Sequence, residues 1–100
     1  QVNQGGELSK SGADSESLED LVSEIIQLSN IRVCGLMSIP PIHEPARPYF
    51  SELRNLRDTI QENLSIDLPY LSMGMSGDFI DAILEGSTHI RVGTSIFGKR

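Results

Sequence analysis

Tryptophan is absent from this chain, and its only aromatic residues are two tyrosines and three phenylalanines. Any core it builds must therefore be mainly aliphatic. Basic residues are also scarce: eight Lys and Arg stand against 14 Asp and Glu, for a formal charge of −6. Nucleic acids are gripped through their phosphates by basic stripes, and none is present, so nucleic acid is not an expected partner. No apolar run approaches the roughly 20 residues of a spanning helix, and no basic-then-apolar leader opens the chain, so no membrane partner is expected. The single cysteine, Cys34, has no partner for an internal disulfide and suits a reducing cytoplasm. One cysteine and two isolated histidines, His43 and His89, do not make a metal-ligand set, and no metal is expected.

What is present is an alternation of apolar runs and amphipathic segments. Gln1-Val2-Asn3 reads as the last residues of a strand already under way, so the chain is expected to be the later part of a longer one. Residues 4–16 are polar and rich in Gly and Ser, which predicts a loop. Leu18, Leu21, Val22, Ile25 and Leu28 then recur at helical spacing behind an acidic first turn (Glu16, Glu19, Asp20), and Asn30 ends that helix. Ile31 to Ile39 predicts a buried parallel strand stopped by Pro40-Pro41, with Cys34 as a small buried hydrophobe. Phe50, Leu53, Arg57, Ile60 and Leu64 mark one side of a second helix. A shorter strand is predicted at Tyr70-Leu71-Ser72, then Met73-Gly74-Met75, and after it a third helix capped by Ser76, with Phe79, Ala82 and Ile83 as its apolar side and Gly86 at its stop. His89 to Val92 predicts the last strand, followed by a short helical turn through Phe97. Strands alternating with helices imply parallel βαβ units.

Two segments carry chemistry, each just past the C-terminal end of a predicted strand: Ser72-Met73-Gly74-Met75-Ser76-Gly77-Asp78 and Arg91-Val92-Gly93-Thr94-Ser95-Ile96-Phe97-Gly98. Small residues there let the backbone approach a ligand, and hydroxyls beside free N–H groups suit an anion. In (β/α)₈ barrels the phosphate site is commonly built from the loops after the last two strands. Alone, Gly93-Thr94 is an ordinary turn and helix cap; joined to the earlier segment, it reads as a phosphate grip. Strand alternation sets His89, Arg91 and Gly93 on one face and Ile90 and Val92 on the other. Arg91 then points inward near the ligand-bearing rim. That is costly unless an anion or a ring nitrogen pairs with it, the plainer alternative being a rim salt bridge to Asp78 or Glu85. His89 reads as an inward, hydrogen-bonded core histidine lower in the barrel, and His43 as solvated.

The segments Gly35-Leu36-Met37-Ser38-Ile39-Pro40, Leu71-Ser72-Met73-Gly74-Met75-Ser76-Gly77-Asp78-Phe79 and Gly86 to Gly98, with Gln1-Val2-Asn3 and Glu7, Ser9, Lys10, Ser11 and Gly12, closely resemble the YggS/PROSC family of pyridoxal 5′-phosphate (PLP) homeostasis proteins. The resemblance spans nearly the whole chain, in order. It implies an α/β fold, the C-terminal half of a (β/α)₈ TIM-type barrel like the N-terminal domain of alanine racemase (fold-type III). Residues 1–100 would be the C-terminal portion of a single PLP-binding barrel domain whose N-terminal half is absent. It also implies PLP as cofactor, with Gly93 and Thr94 on the phosphate, helped by Ser72 or Ser76, Arg91 facing the pyridine nitrogen, and Met37 lining the pocket. An arginine beside that nitrogen disfavours its protonation, which suits a carrier better than aggressive carbanion chemistry.

The family's Schiff-base lysine sits on the first barrel strand, and neither Lys10 nor Lys99 matches it. No catalytic residue is therefore assigned in this chain, and no particular reaction is implied. The function so implied is PLP binding within vitamin B6 homeostasis in the cytoplasm, with the missing half of the barrel as a partner. The alternatives are an amino-acid racemase or decarboxylase of the same fold type, and a phosphate-binding half-barrel without PLP. Against the first stands the chain's end close behind its last strand, which leaves no room for the extra domain such enzymes carry.

Overall fold

In the computed structural model, which describes residues 1–8 and 11–99, the chain runs β1 (Val2–Asn3), β2 (Ala13–Asp14), α1 (Leu18–Ile25), β3 (Gly35–Met37), α2 (Arg47–Leu64), β4 (Tyr70–Met75), α3 (Phe79–Leu84), β5 (His89–Arg91) and α4 (Thr94–Phe97). Lys10 lies outside the described residues. β3, β4 and β5 form a parallel sheet in chain order, and β1 pairs with β2, also in parallel. A parallel bridge from Val2 to Ser38 joins the two sheets at the end of β3. Parallel neighbours need a crossover, and α2 and α3 supply it, α2 packing on β3 and β4 and α3 on β4 and β5.

α2 forms where the apolar spacing and a proline in its first turn coincide, and it stops at Ser65, whose φ of 53° is left-handed. Its buried residues are Phe50, Leu53 and Ile60, as the spacing predicts. They meet Leu36 of β3, Leu71 and Met73 of β4, Ala82 of α3, and Leu18 and Val22 of α1 in one aliphatic cluster. Arg57 shares that side of α2 only by turning its head aside, donating to the Leu68 carbonyl at 3.1 Å and pairing with Asp58 at 2.7 Å. Arg47 and Arg54 both reach Glu85 at the end of α3 and tie the two helices together.

Because β-strand side chains alternate, burying Leu36, Leu71 and Met73 under the helices sends Met37, Ser72 and His89 to the opposite face. Tyr70 lies on that face too, its ring edge-on to His89 at 5.0 Å. β3 and β4 approach closely at Gly35, where an added Cβ would overlap the Tyr70 carbonyl.

Several sequence expectations need correcting. The polar segment 4–16 is not all loop, since Ala13 and Asp14 pair with Val2 and Asn3, and the Ala13 N–H reaches the Gln1 carbonyl at 2.8 Å. Strand β3 is much shorter than Ile31 to Ile39; Ile31 and Arg32 are exposed and Cys34 is only half-buried, because pairing with β4 starts at Tyr70. α1 ends at Ile25, leaving Leu28 beyond it and exposed. The helix after β4 starts at Phe79 with Asp78, not Ser76, at its cap position, and Ile83 is exposed. No helix among the described residues is long and apolar enough to cross a membrane.

Candidate functional site

The site begins with an irregularity in β4. Ser72 pairs with His89 and Met75 with Arg91, so β4 spends three steps where β5 spends two. The extra residue makes a β-bulge, a device that re-aims the chain at a strand end. Gly74 sits inside it at φ +103°, with Ala82 of α3 pressed against its backbone. Beyond the bulge, Asp78 closes a tight turn. Its carboxylate accepts from the Met75 N–H at 2.7 Å, and its own N–H donates to the Met75 carbonyl at 3.1 Å. Ser76 and Gly77 are left at the tip.

The loop after β5 comes up beside this turn. Gly93 precedes α4, and its carbonyl accepts from the N–H groups of Ile96 and Phe97. The Thr94 hydroxyl donates to the Ser76 hydroxyl at 3.2 Å, bridging the two loops. A hydroxyl that accepts one bond still has a proton to give, so Ser76 can donate onward. A Cβ at Gly93 or Gly77 would meet nothing within 4 Å, so the main chain at both positions borders open space. Ser76, Gly77, Gly93 and Thr94 line a cavity of about 1040 Å³, with Ile39, Pro40 and Phe97 among its apolar walls.

Arg91 makes neither of the ion pairs open to it from sequence. Glu85 is taken by Arg47 and Arg54, and Asp78 by its own turn. The guanidinium instead reaches across β4 to β3, with Nη2 donating to the Ser38 carbonyl at 2.9 Å and to the Ser72 carbonyl at 3.4 Å. Its Nε is buried without a hydrogen-bond partner among the described residues. A buried, partnerless N–H of a cation is expensive, and an acceptor supplied by a ligand would relieve it.

The structure thus brings Ser76, Gly93 and Thr94 together around one cavity. Met37, Ser72 and Arg91 do not border it; Met37 and Ser72 lie on the same sheet face one pairing row below Ser38, and Arg91 reaches the cavity wall only through the Ser38 carbonyl. His89 is exposed, with its Nδ1 at 2.9 Å from the Thr88 hydroxyl. Sequence reasoning passed over Ser38, which is fully buried, donates to Gln4 Oε1 at 2.6 Å and borders the cavity. A lone serine ahead of two prolines gives little signal of that. Among the described residues, no group of three or more His, Cys, Asp or Glu gathers as a metal site would require.

A second hollow of about 290 Å³ adjoins the first at Glu44 and lies beside Tyr49. The phenol of Tyr49 is raised above its ordinary value, first by its hydrogen bond to the Glu44 carboxylate and then by burial. Glu44→Gln is expected to bring its titration midpoint back down, followed by ultraviolet difference absorbance. An unmoved midpoint would mean that Glu44 is not the cause.

The parallel α/β order, with polar residues gathered at the C-terminal ends of neighbouring strands, is that of a fragment of a TIM-type α/β fold. The family model for the alanine racemase N-terminal domain matches residues 1–100, and the chain belongs to that family. It is 50% identical over 103 residues to the pyridoxal phosphate homeostasis protein of Aquifex aeolicus, covering all of this chain and 45% of that protein. It is 48% identical to the protein of the same name from Pseudomonas aeruginosa, covering 43% of it. Among solved structures, it is similar to PipY of Synechococcus elongatus with PLP bound, at a TM-score of 0.82 and 36% identity over 91% of this chain and 45% of that one. PipY without PLP gives a TM-score of 0.88 and 35% identity over 97% and 47%. The chain therefore spans a little under half the length of the relatives it matches.

Proposed function

We propose that residues 1–100 form the C-terminal part of a single PLP-binding (β/α)₈ barrel and supply the phosphate-holding end of a site that serves intracellular PLP homeostasis. The observation that carries this reading is the meeting of Ser76 and Thr94 over open main chain at Gly93, at one end of a parallel sheet. The residues fit the cofactor in three respects. Two hydroxyls and the main chain at Gly93 suit a phosphate. The buried Arg91 Nε is a donor in want of an acceptor, as an unprotonated ring nitrogen would be. Ile39, Pro40 and Phe97 give the cavity an apolar wall for the ring.

When bound, PLP supplies an aldehyde that reacts with amines and a ring that can withdraw electrons. The chain's own part is to hold and tune it. Ser76, which accepts from Thr94 and keeps its own proton to give, donates to the phosphate, with Thr94 orienting that hydroxyl. The Gly93 main chain lies close by, and Ser72 assists from the row below. Arg91 faces the ring nitrogen and disfavours a proton there by like-charge repulsion. Met37 forms part of the wall deeper in the barrel. The amine that anchors PLP comes from the upstream half, which is also the partner covering the exposed Ile80, Ile83 and Leu84 of α3 and Ile90 of β5. The lone Cys34 accords with a reducing cytoplasm.

The test compares PLP binding by this chain with binding by a chain extended upstream to the length of its relatives. The extended chain should show saturable, borohydride-reducible PLP absorbance and this one should not. In the extended chain, Ser76→Ala combined with Thr94→Val should weaken PLP by about ten- to a hundred-fold, since the one hydrogen bond lost to a charged group contributes about 1.5–3 kcal/mol. Pyridoxal, which lacks the phosphate, should bind the variant as well as it binds the parent. Unchanged PLP affinity would remove both hydroxyls from the phosphate.

A further inference from the structure

Arg91 is held by more than its own strand. The Ser38 carbonyl that receives its Nη2 belongs to a residue whose polar groups are all engaged. The Ser38 N–H donates to the Ser72 carbonyl at 3.2 Å, and its hydroxyl donates to Gln4 Oε1 at 2.6 Å. Gln4 in turn donates from Nε2 to the Tyr49 carbonyl in the first turn of α2, at 2.9 Å. Ser38 is fully buried and lies where β1 bridges the end of β3. A polar chain thus runs from α2 through Gln4 and Ser38 to the guanidinium.

From this chain of bonds we infer that Gln4 and Ser38 are positioning residues that fix the direction of Arg91, and through it the protonation state of the PLP ring nitrogen. The inference rests on the reading of Arg91 given under the proposed function. Past Met37 the β3–β4 register ends, and the backbone at Ser38 is held by its N–H bond to Ser72, by its bridge to Val2 and by the side-chain tether to Gln4. Cutting the tether removes the one side-chain anchor among these restraints and leaves the Ser38 carbonyl, and the guanidinium bonded to it, more room to turn. Turning moves a positive charge away from the ring nitrogen and makes a proton there less costly. The ring nitrogen's pKa must therefore rise when the tether is cut. Neither residue needs to touch the cofactor for this to hold.

The experiment loads the upstream-extended chain with PLP labelled with ¹⁵N in the ring and follows the ring-nitrogen resonance against pH. Gln4→Met keeps the length of the side chain but removes both amide functions, and Gln4 is only half-buried, so it is the first variant. Its midpoint should rise by about one unit, the lower end of what a nearby charge imposes. Ser38→Ala should give the same rise and the double variant no more, because both cut one chain. Ser38→Thr, which keeps the hydroxyl, should sit nearer the parent. Loss of PLP affinity with an unmoved midpoint in both single variants would show a merely structural role and overturn the inference. Failure of the parent to bind PLP would instead overturn the proposed function.

Discussion

Phe50→Ala is expected to destabilise the folded chain by about 3–5 kcal/mol, the range for emptying a buried aromatic site. Phe50 is fully buried on the inner side of α2, in a cluster otherwise made of aliphatic side chains. With no tryptophan in the chain and Tyr70 partly exposed, no other aromatic is buried deeply enough to take over its volume. Its neighbours in the cluster belong to α1, β3, β4 and α3, so they cannot close the gap without moving the sheet off the helices. A domain holds only about 5–15 kcal/mol in total, so the loss is a large share of it. Urea unfolding of the upstream-extended chain would measure it. A drop of less than about 1 kcal/mol would mean that the helix-to-sheet packing is looser than described.

The second large effect is expected at Gly74. A Cβ there would stand 2.6 Å from the Ala82 Cβ and 3.2 Å from the Phe79 Cα, on a backbone held at φ +103°. The unfavourable backbone costs about 1–2 kcal/mol and the overlap about 1–3 more, so Gly74→Ala should lose about 2–5 kcal/mol. Relief requires α3 to move away from β4, and the Met75–Asp78 turn that carries Ser76 lies between them. PLP binding should therefore weaken together with stability, which separates this variant from Phe50→Ala. Ala82→Gly removes the atom that is struck but leaves the strained backbone. Combined with Gly74→Ala it should return part of the lost stability, a departure from additivity that a double-mutant cycle reads directly. Strict additivity would place the clash elsewhere.

Repetitive elements were legible in the sequence where one physical signal governs them. α2 follows from five apolar or long side chains at helical spacing, and β4 and β5 appear as short segments with alternating apolar residues ahead of small Gly, Ser and Thr residues. Elements that depend on a distant partner were not. Ala13 and Asp14 form a strand because Val2 and Asn3 lie alongside, and nothing in a Gly- and Ser-rich stretch announces that. Residues 31–33 have the composition of a strand, but no strand among the described residues pairs with them. Ser76 and Asp78 are both good caps. The bulge at Gly74 and the bond from the Met75 N–H decide for Asp78, which frees Ser76 for the site. At the site, Ser76, Gly93 and Thr94 could be named from small residues and hydroxyls after strands. The partners of Arg91 could not, because they are main-chain carbonyls that any residue possesses. Gln4 and Ser38 were hidden because their side chains meet across 34 residues of sequence.

The spacing of these contacts along the chain orders their assembly. The Thr94-to-Ser76 bond closes a stretch of 18 residues, whereas Arg91 to Ser38 closes one of 53. Loop-closure entropy rises with the logarithm of length, so the longer closure costs about 1 kcal/mol more. The two hydroxyls can therefore meet within a single strand–helix–strand unit, before β3 and the Gln4 segment have docked. Under the proposed function, a refolding chain should acquire the phosphate end of the site early and the placement of Arg91 late. Phosphate present from the start would then favour the productive order of events.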